Sequence, residues 1–259
     1  MIPVTTDRRI NLIDKKYDFP SSTTPRKFYA IATMPRSGST FFGCKLWNTG
    51  VMGAPLEYFN IYETLFIMAS RVKAKSIRNY VDRLFELRTS ANGVFGMSIF
   101  PEHLQFILLG NLLPRFPRLK YIYLTRNDVI AQAVSYAKAL QTRQWTNLDI
   151  PQAQPEYNYN QIANCLNKIQ QSKLFWNTFF NNNKIRPIHF SYEKITTNTD
   201  EIISNIMVKL DIHPDLSAGL GIPSIEKQPD TTSQEWKEKF CNELKIKQPE
   251  LAKKLNVPV

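Results

Sequence analysis

Five consecutive residues, Arg36-Ser37-Gly38-Ser39-Thr40, put a guanidinium, three hydroxyls and a glycine between an apolar run and a helix-forming one. A strand that turns through such a loop into a helix aims backbone N–H groups and a positive helix end at one point, which suits an anion. Arg36 adds a forked donor of permanent charge, matched to phosphate or sulfate oxygens. The loop is close to the Walker A pattern, in which Gly, four residues and Gly-Lys-Ser/Thr cradle phosphates. Aligned on Gly38, however, Thr33 stands where the first glycine belongs and Ser39 where the lysine belongs. The same residues also suit a plain αβ turn whose hydroxyls cap the helix.

A second set lies in "YLTRNDVIAQAVSYAKALQTRQW". Arg126 follows an apolar, β-forming run, and Ser135 stands nine residues on in a helical pattern. Open α/β sheets bind ligands at the carboxyl ends of their strands. A long arginine there and a hydroxyl about 10 Å along the helix, at about 1.5 Å rise per residue, can close on one phosphate. Read singly, Arg126 is a surface partner for Asp128 and Ser135 a small residue for helix packing.

The elements that must position these groups alternate. Strands are expected over 28–33, 93–100, 119–125 and 185–192, and helices over 39–48, 60–88, 102–113, 127–142, 160–182 and 199–210, with a last charged helix near the end. Asp128 is placed to cap its helix and Gly50 to end the one before it. Such alternation implies an α/β fold, a mainly parallel sheet flanked by helices. One domain over 28–259 is expected, with residues 1–27 as an extension, an arm or a disordered segment.

Composition narrows the partners. The 259 residues carry 43% apolar side chains and a net charge of +11, enough for a sizeable core. The basic residues are scattered, with no block longer than "RVKAKSIR", and neither zinc-finger spacing nor an aromatic RNA-binding box accompanies them. Charge alone leaves a polyanion, an anionic membrane and a small polyanionic cosubstrate open as partners; with no nucleic-acid motif present, no nucleic acid is expected, and the local motifs must choose the rest. "LQFILLGNLL", the most apolar window, is too short to span a bilayer. "MIPVTTDRRINLIDKK" does not read as a leader. With Cys44, Cys165 and Cys241 far apart and odd in number, the expectation is a cytoplasmic protein with reduced thiols and no metal site.

"PRSGST", "TGVMGAPLEYF", "NGVFG", the Arg126–Ser135 stretch, "PEYNYNQIANCLNKIQ", "RPIHFSYE" and "KQPDTTSQEW" occur in one order from about 28 to 240. In that order they resemble the bacterial trehalose 2-sulfotransferase family, relatives of sulfotransferases that use 3′-phosphoadenosine 5′-phosphosulfate (PAPS). The resemblance implies a P-loop-like sulfotransferase fold and transfer of a sulfuryl group to a hydroxyl of a carbohydrate, glycolipid or related small acceptor. It implies that Arg36, Ser37, Gly38, Ser39 and Thr40 hold the 5′-phosphosulfate, with Arg36 also catalytic, and that Arg126 and Ser135 hold the 3′-phosphate. Lys227 and Gln228 stand in the place of a loop over the nucleotide. Glu57, in "GAPLEYFN", matches the family's proposed base, and a homodimer is implied as well.

Sulfuryl transfer is in-line displacement, run by positioning and charge stabilisation, and an alcohol nucleophile needs a base. His103 is an auxiliary candidate behind Glu57, while His189 reads as a satisfied core residue. Tyr58, Phe59 and Trp145 are aromatic enough to stack on sugars, although such residues more often pack in a core. The chain departs from the family where relatives carry a lysine after "NGVxG", since it reads Met97-Ser98 there. Two alternatives are a P-loop kinase, which requires a lysine at position 39, and a basic nucleic-acid-binding scaffold, which requires salt-dependent binding to polynucleotide.

Overall fold

A computed structural model describes residues 10–20, 23–213, 220–226 and 231–257. Strands β1 (Lys27–Ala32), β2 (Val94–Ile99), β3 (Lys120–Thr125) and β4 (Ile188–Ser191) form one sheet in the order β2-β1-β3-β4. All three pairings are parallel, with Ile31 beside Ser98 on one side and Ile122 on the other. The expected mainly parallel α/β sheet is thus the architecture found.

β1 shows why the sheet is covered on both faces. Successive strand side chains point to opposite faces. Phe28, Ala30 and Ala32 enter one core, and Tyr29 and Ile31 the other. Helix α1 (Ser39–Asn48) sends Phe42 and Leu46 into the second core, where α8 (Thr199–Lys209) adds Ile202, Ile203 and Ile206. The first core is closed by α3 (Ile77–Arg88), α4 (Pro101–Leu109), α5 (Val129–Thr142), α6 (Tyr159–Asn182) and α9 (Thr231–Lys247).

The caps fall where the side chains direct them. Asp128 accepts from the Ala131 N–H at 3.0 Å and starts α5, and Gly50 turns left-handed after α1 (φ +74°). The helical stretch over 60–88 divides into α2 (Thr64–Arg71) and α3, because Lys73 adopts a left-handed conformation and Ser76 caps Asn79. Helix α7 (Tyr192–Thr197) was not foreseen; β4 runs into it with no turn residue between, and Ser191 serves as its cap. A short α10 (Pro249–Lys254) follows α9.

Residues 10–20 pack on the body of the protein. Leu12 and Ile13 are buried, and Asp18 pairs with both Arg71 (2.8 Å) and the wholly buried Arg88 (3.0 Å). Arg88 also lies over the Trp47 ring at 5.2 Å. His189 is exposed on β4, not in the core as read from sequence, because β4 is an edge strand; its Nε2 still meets Thr125 Oγ1 at 3.0 Å. Among the described residues no helix is long and apolar enough to cross a membrane.

Candidate active site

β1 lies between β2 and β3, so the chain leaves β1 toward one neighbour and later returns on its other side. The crevice at the carboxyl ends of β1 and β3 is the switch point where such sheets bind ligands. The loop after β1 and Arg126 after β3 both open there, into a cleft of about 1340 Å³.

The loop is braced from behind. Thr33 donates to the Leu124 carbonyl at 2.9 Å, and Trp176 Nε1 donates to the Thr33 carbonyl at 2.7 Å. Gln132 Nε2 donates to the Pro35 carbonyl at 2.7 Å and to Ser37 Oγ at 3.1 Å. Ser37 is wholly buried, and its hydroxyl donates to the Met34 carbonyl at 2.8 Å, so this side chain shapes the loop from inside. Gly38 caps α1 with a left-handed backbone (φ +83°), and a Cβ there would lie 2.4 Å from the Tyr192 ring. The opening N–H groups of a helix have no intrahelical acceptor, and no side chain caps α1. Ser39 and Thr40, at the start of that helix, line the cleft.

Two guanidinium groups converge on the loop. Arg36 takes a left-handed backbone (φ +65°) and donates through Nε to Ser135 Oγ at 2.9 Å and through Nη1 to the Trp145 carbonyl. Arg126 Nη1 lies 3.4 Å from the Arg36 carbonyl, and its guanidinium sits over the Tyr192 ring at 4.9 Å. Arg126 Nε is buried with no partner among the described residues. Burial, and then the nearby Arg126 charge, pull the Arg36 pKa down to about 10, while Asp149 acts in the opposite direction. The guanidinium stays charged at neutral pH. An anion between these two groups relieves their repulsion.

Asp149 holds the loop that presents the Trp145 carbonyl. Its buried carboxylate accepts from the N–H groups of Trp145 (2.9 Å) and Thr146 (2.7 Å).

Glu57 reaches the same cleft from the sheet's other side. Leu56 bridges Met97 as an added strand position, and its carbonyl accepts from the Ser98 N–H at 2.9 Å. Glu57 is half-buried, faces the cleft and accepts from Asn60 Nδ2 at 3.4 Å. His103 also lines the cleft, but its Nδ1 accepts the Phe100 N–H at 3.2 Å. Burial lowers its pKa to about 3. The ring is therefore neutral with its proton on Nε2, an arrangement that donates a hydrogen bond and takes no proton.

Residues 28–243 match the family model of the Stf0 sulphotransferases. The chain belongs to the Stf0 sulphotransferase family. This sulfotransferase is 25% identical to the trehalose 2-sulfotransferase of Mycolicibacterium smegmatis over 254 residues, covering 82% of this chain and 93% of that one. It is 26% identical to the trehalose 2-sulfotransferase of Mycobacterium tuberculosis over 261 residues, covering 85% and 96%. Among solved structures, the sulfotransferase domain of the Synechococcus PCC 7002 olefin synthase aligns with a TM-score of 0.46 at 13% identity, covering 85% and 96%. That likeness is too loose to bear on the site.

Of the residues expected in the Stf0 site, Arg36, Gly38, Ser39, Thr40, Glu57, Arg126 and Ser135 line one cleft. Lys227 and Gln228 lie outside the described residues. Tyr58 and Phe59 are wholly buried in the core and cannot stack on a ligand, whereas Trp145 does line the cleft. Gln132, Asp149 and Tyr192 were missed. Gln132 had a signal, since it precedes Ser135 by three residues and shares its helix face; Asp149 and Tyr192 act across sequence gaps that no spacing rule spans.

Proposed function

We propose that this sulfotransferase moves a sulfuryl group from PAPS to a hydroxyl of a carbohydrate acceptor, by in-line displacement with Glu57 as general base. The observation that carries this reading is the convergence of Arg36 and Arg126 from neighbouring strand ends onto the open N-terminus of α1, with Glu57 in the same cleft. The names of the mycobacterial relatives support a sugar as acceptor.

The residues fit the nucleotide. The unpartnered Arg126 Nε and the uncapped first turn of α1 are donors without acceptors in a cleft wall, the counterpart of an anionic group. In this reading the N–H groups after Gly38, with Ser39, Thr40 and Arg36, hold the 5′-phosphosulfate, and Arg126 with Ser135 holds the 3′-phosphate. PAPS supplies the activated sulfuryl group, which leaves adenosine 3′,5′-bisphosphate (PAP). Glu57 accepts the acceptor hydroxyl's proton as the new S–O bond forms. The fixed charge of Arg36 stabilises negative charge on the departing phosphate oxygen.

The cleft, at about 1340 Å³, exceeds the roughly 300–1,000 Å³ of ordinary ligand pockets, which leaves room for a nucleotide and a sugar together. The three cysteines are free, consistent with a reducing cytoplasmic setting. Incubation with PAPS and a set of mono- and disaccharides that includes trehalose tests the reading. A sugar gaining the mass of one sulfuryl group for each PAP released is the expected result. Absence of transfer to every sugar, with PAPS intact, contradicts it.

A further inference from the structure

Ser98 is the one cleft-lining hydroxyl of β2, and it is only 2% exposed. Its Oγ has no hydrogen-bond partner among the described residues. A buried hydroxyl left unpaired is destabilising, and most buried polar groups find a partner. The position is set by the backbone: Ser98 N–H is bonded to the Leu56 carbonyl at 2.9 Å, and the next residue along from Leu56 is Glu57. Ser98 and Glu57 therefore stand on adjoining backbone segments in the wall of one cleft, with Ser98 one residue short of the end of its strand.

His103 faces the same cleft from the first turn of α4 and is also 2% exposed. Because its Nδ1 is occupied by the Phe100 N–H, Nε2 carries the ring proton. The ring is tied to a backbone N–H two residues on from Ser98, so one hydroxyl that both donates and accepts and one fixed donor, neither charged, share this stretch of the cleft wall.

We propose that Ser98 and His103 form a neutral subsite beside Glu57 that holds the acceptor hydroxyl adjacent to the one being sulfated. This rests on the sulfotransferase reading above and narrows it to acceptors with an uncharged vicinal diol. The subsite offers no counter-charge to an acceptor with a carboxylate at that carbon, which the Glu57 carboxylate would also repel, and leaving a buried charge unpaired is costly. A deoxy acceptor leaves the Ser98 hydroxyl unsatisfied as it is in the free protein, so the site discriminates against it.

Calorimetric titration of trehalose into the PAP-loaded protein is the test, with Ser98→Ala and His103→Asn beside the wild type. Asn at 103 retains an acceptor for the Phe100 N–H while losing the Nε2 donor, so it guards against misreading a packing defect. The expected result is unchanged PAP affinity and trehalose binding weakened roughly three- to tenfold in each variant. Ser98→Ala is also expected to melt no lower than wild type, which a merely structural serine would not allow. Trehalose affinity unaltered by both substitutions overturns the subsite, and so does PAP binding without any trehalose binding. Failure to bind PAP at all instead overturns the underlying sulfotransferase reading.

Discussion

Arg36 Nε donates to Ser135 Oγ at 2.9 Å, joining the loop after β1 to the second turn of α5. With the Trp145 carbonyl on Nη1, this bond fixes the direction in which the guanidinium faces the cleft. Ser135 is thereby a positioning residue for Arg36 as well as a proposed phosphate contact.

Ser135→Ala is expected to lower kcat/KM for PAPS roughly tenfold, the cost of one hydrogen bond to a charged group. Arg36→Lys keeps the charge but cannot serve Ser135, Trp145 and an anion at once. Its expected loss in kcat is roughly 10²- to 10³-fold. Steady-state kinetics on the two variants checks both values.

Gly38→Ala should damage stability and binding together. The left-handed backbone costs an alanine about 1–2 kcal/mol, and its methyl would lie 2.4 Å from the Tyr192 ring. That ring must move, and with it the surface under Arg126. The expected outcome is a melting temperature lower by several degrees and weaker PAP binding. Unchanged calorimetry on both counts would show that the loop relaxes freely.

Glu57→Gln separates the base from the nucleotide site. The amide keeps the shape and an acceptor oxygen for Asn60, but it takes no proton. The expected kcat falls by roughly 10²- to 10⁴-fold, with PAP affinity unaltered. A kcat within a few-fold of wild type would remove Glu57 from the base role.

His103 gives the protein an acid limit. Its folded pKa is about 3 against an ordinary 6.5, because burial disfavours the imidazolium. As pH falls below about 6.5 the unfolded chain binds a proton that the folded ring refuses until about pH 3, so stability declines through that window. His103→Asn is expected to flatten this part of the profile by up to a few kcal/mol. Urea melts at pH 7 and pH 4.5 make the comparison.

Much of this site could be read from residue order because its parts are local. "RSGST" is one turn between a strand and a helix, and Arg126 with Asp128 is another; both carry their signal within a few positions. The alternation of apolar runs places β1 and β3, and hence puts both arginines at strand ends. What sequence did not reveal depends on packing between distant segments. Tyr192 fills the space that only a glycine at 38 leaves, a contact between segments far apart in the chain. Asp149 acts by bracing backbone N–H groups, for which no side-chain motif exists. Burial of Leu12 and Ile13 was equally illegible, since the segment that carries them docks through contacts with distant residues, among them the Asp18 pairs to Arg71 and Arg88.

The central claim is that Arg36 and Arg126 frame a site for a nucleotide with phosphates at both 3′ and 5′ positions. Calorimetric titration with PAP beside 5′-adenylate and ATP, without added metal, tests it most directly. The expected result is a marked preference for PAP in the wild type, with affinity falling at least tenfold in Arg126→Ala. Equal affinity for PAP and 5′-adenylate, or binding of PAP that ignores the loss of Arg126, would contradict the account.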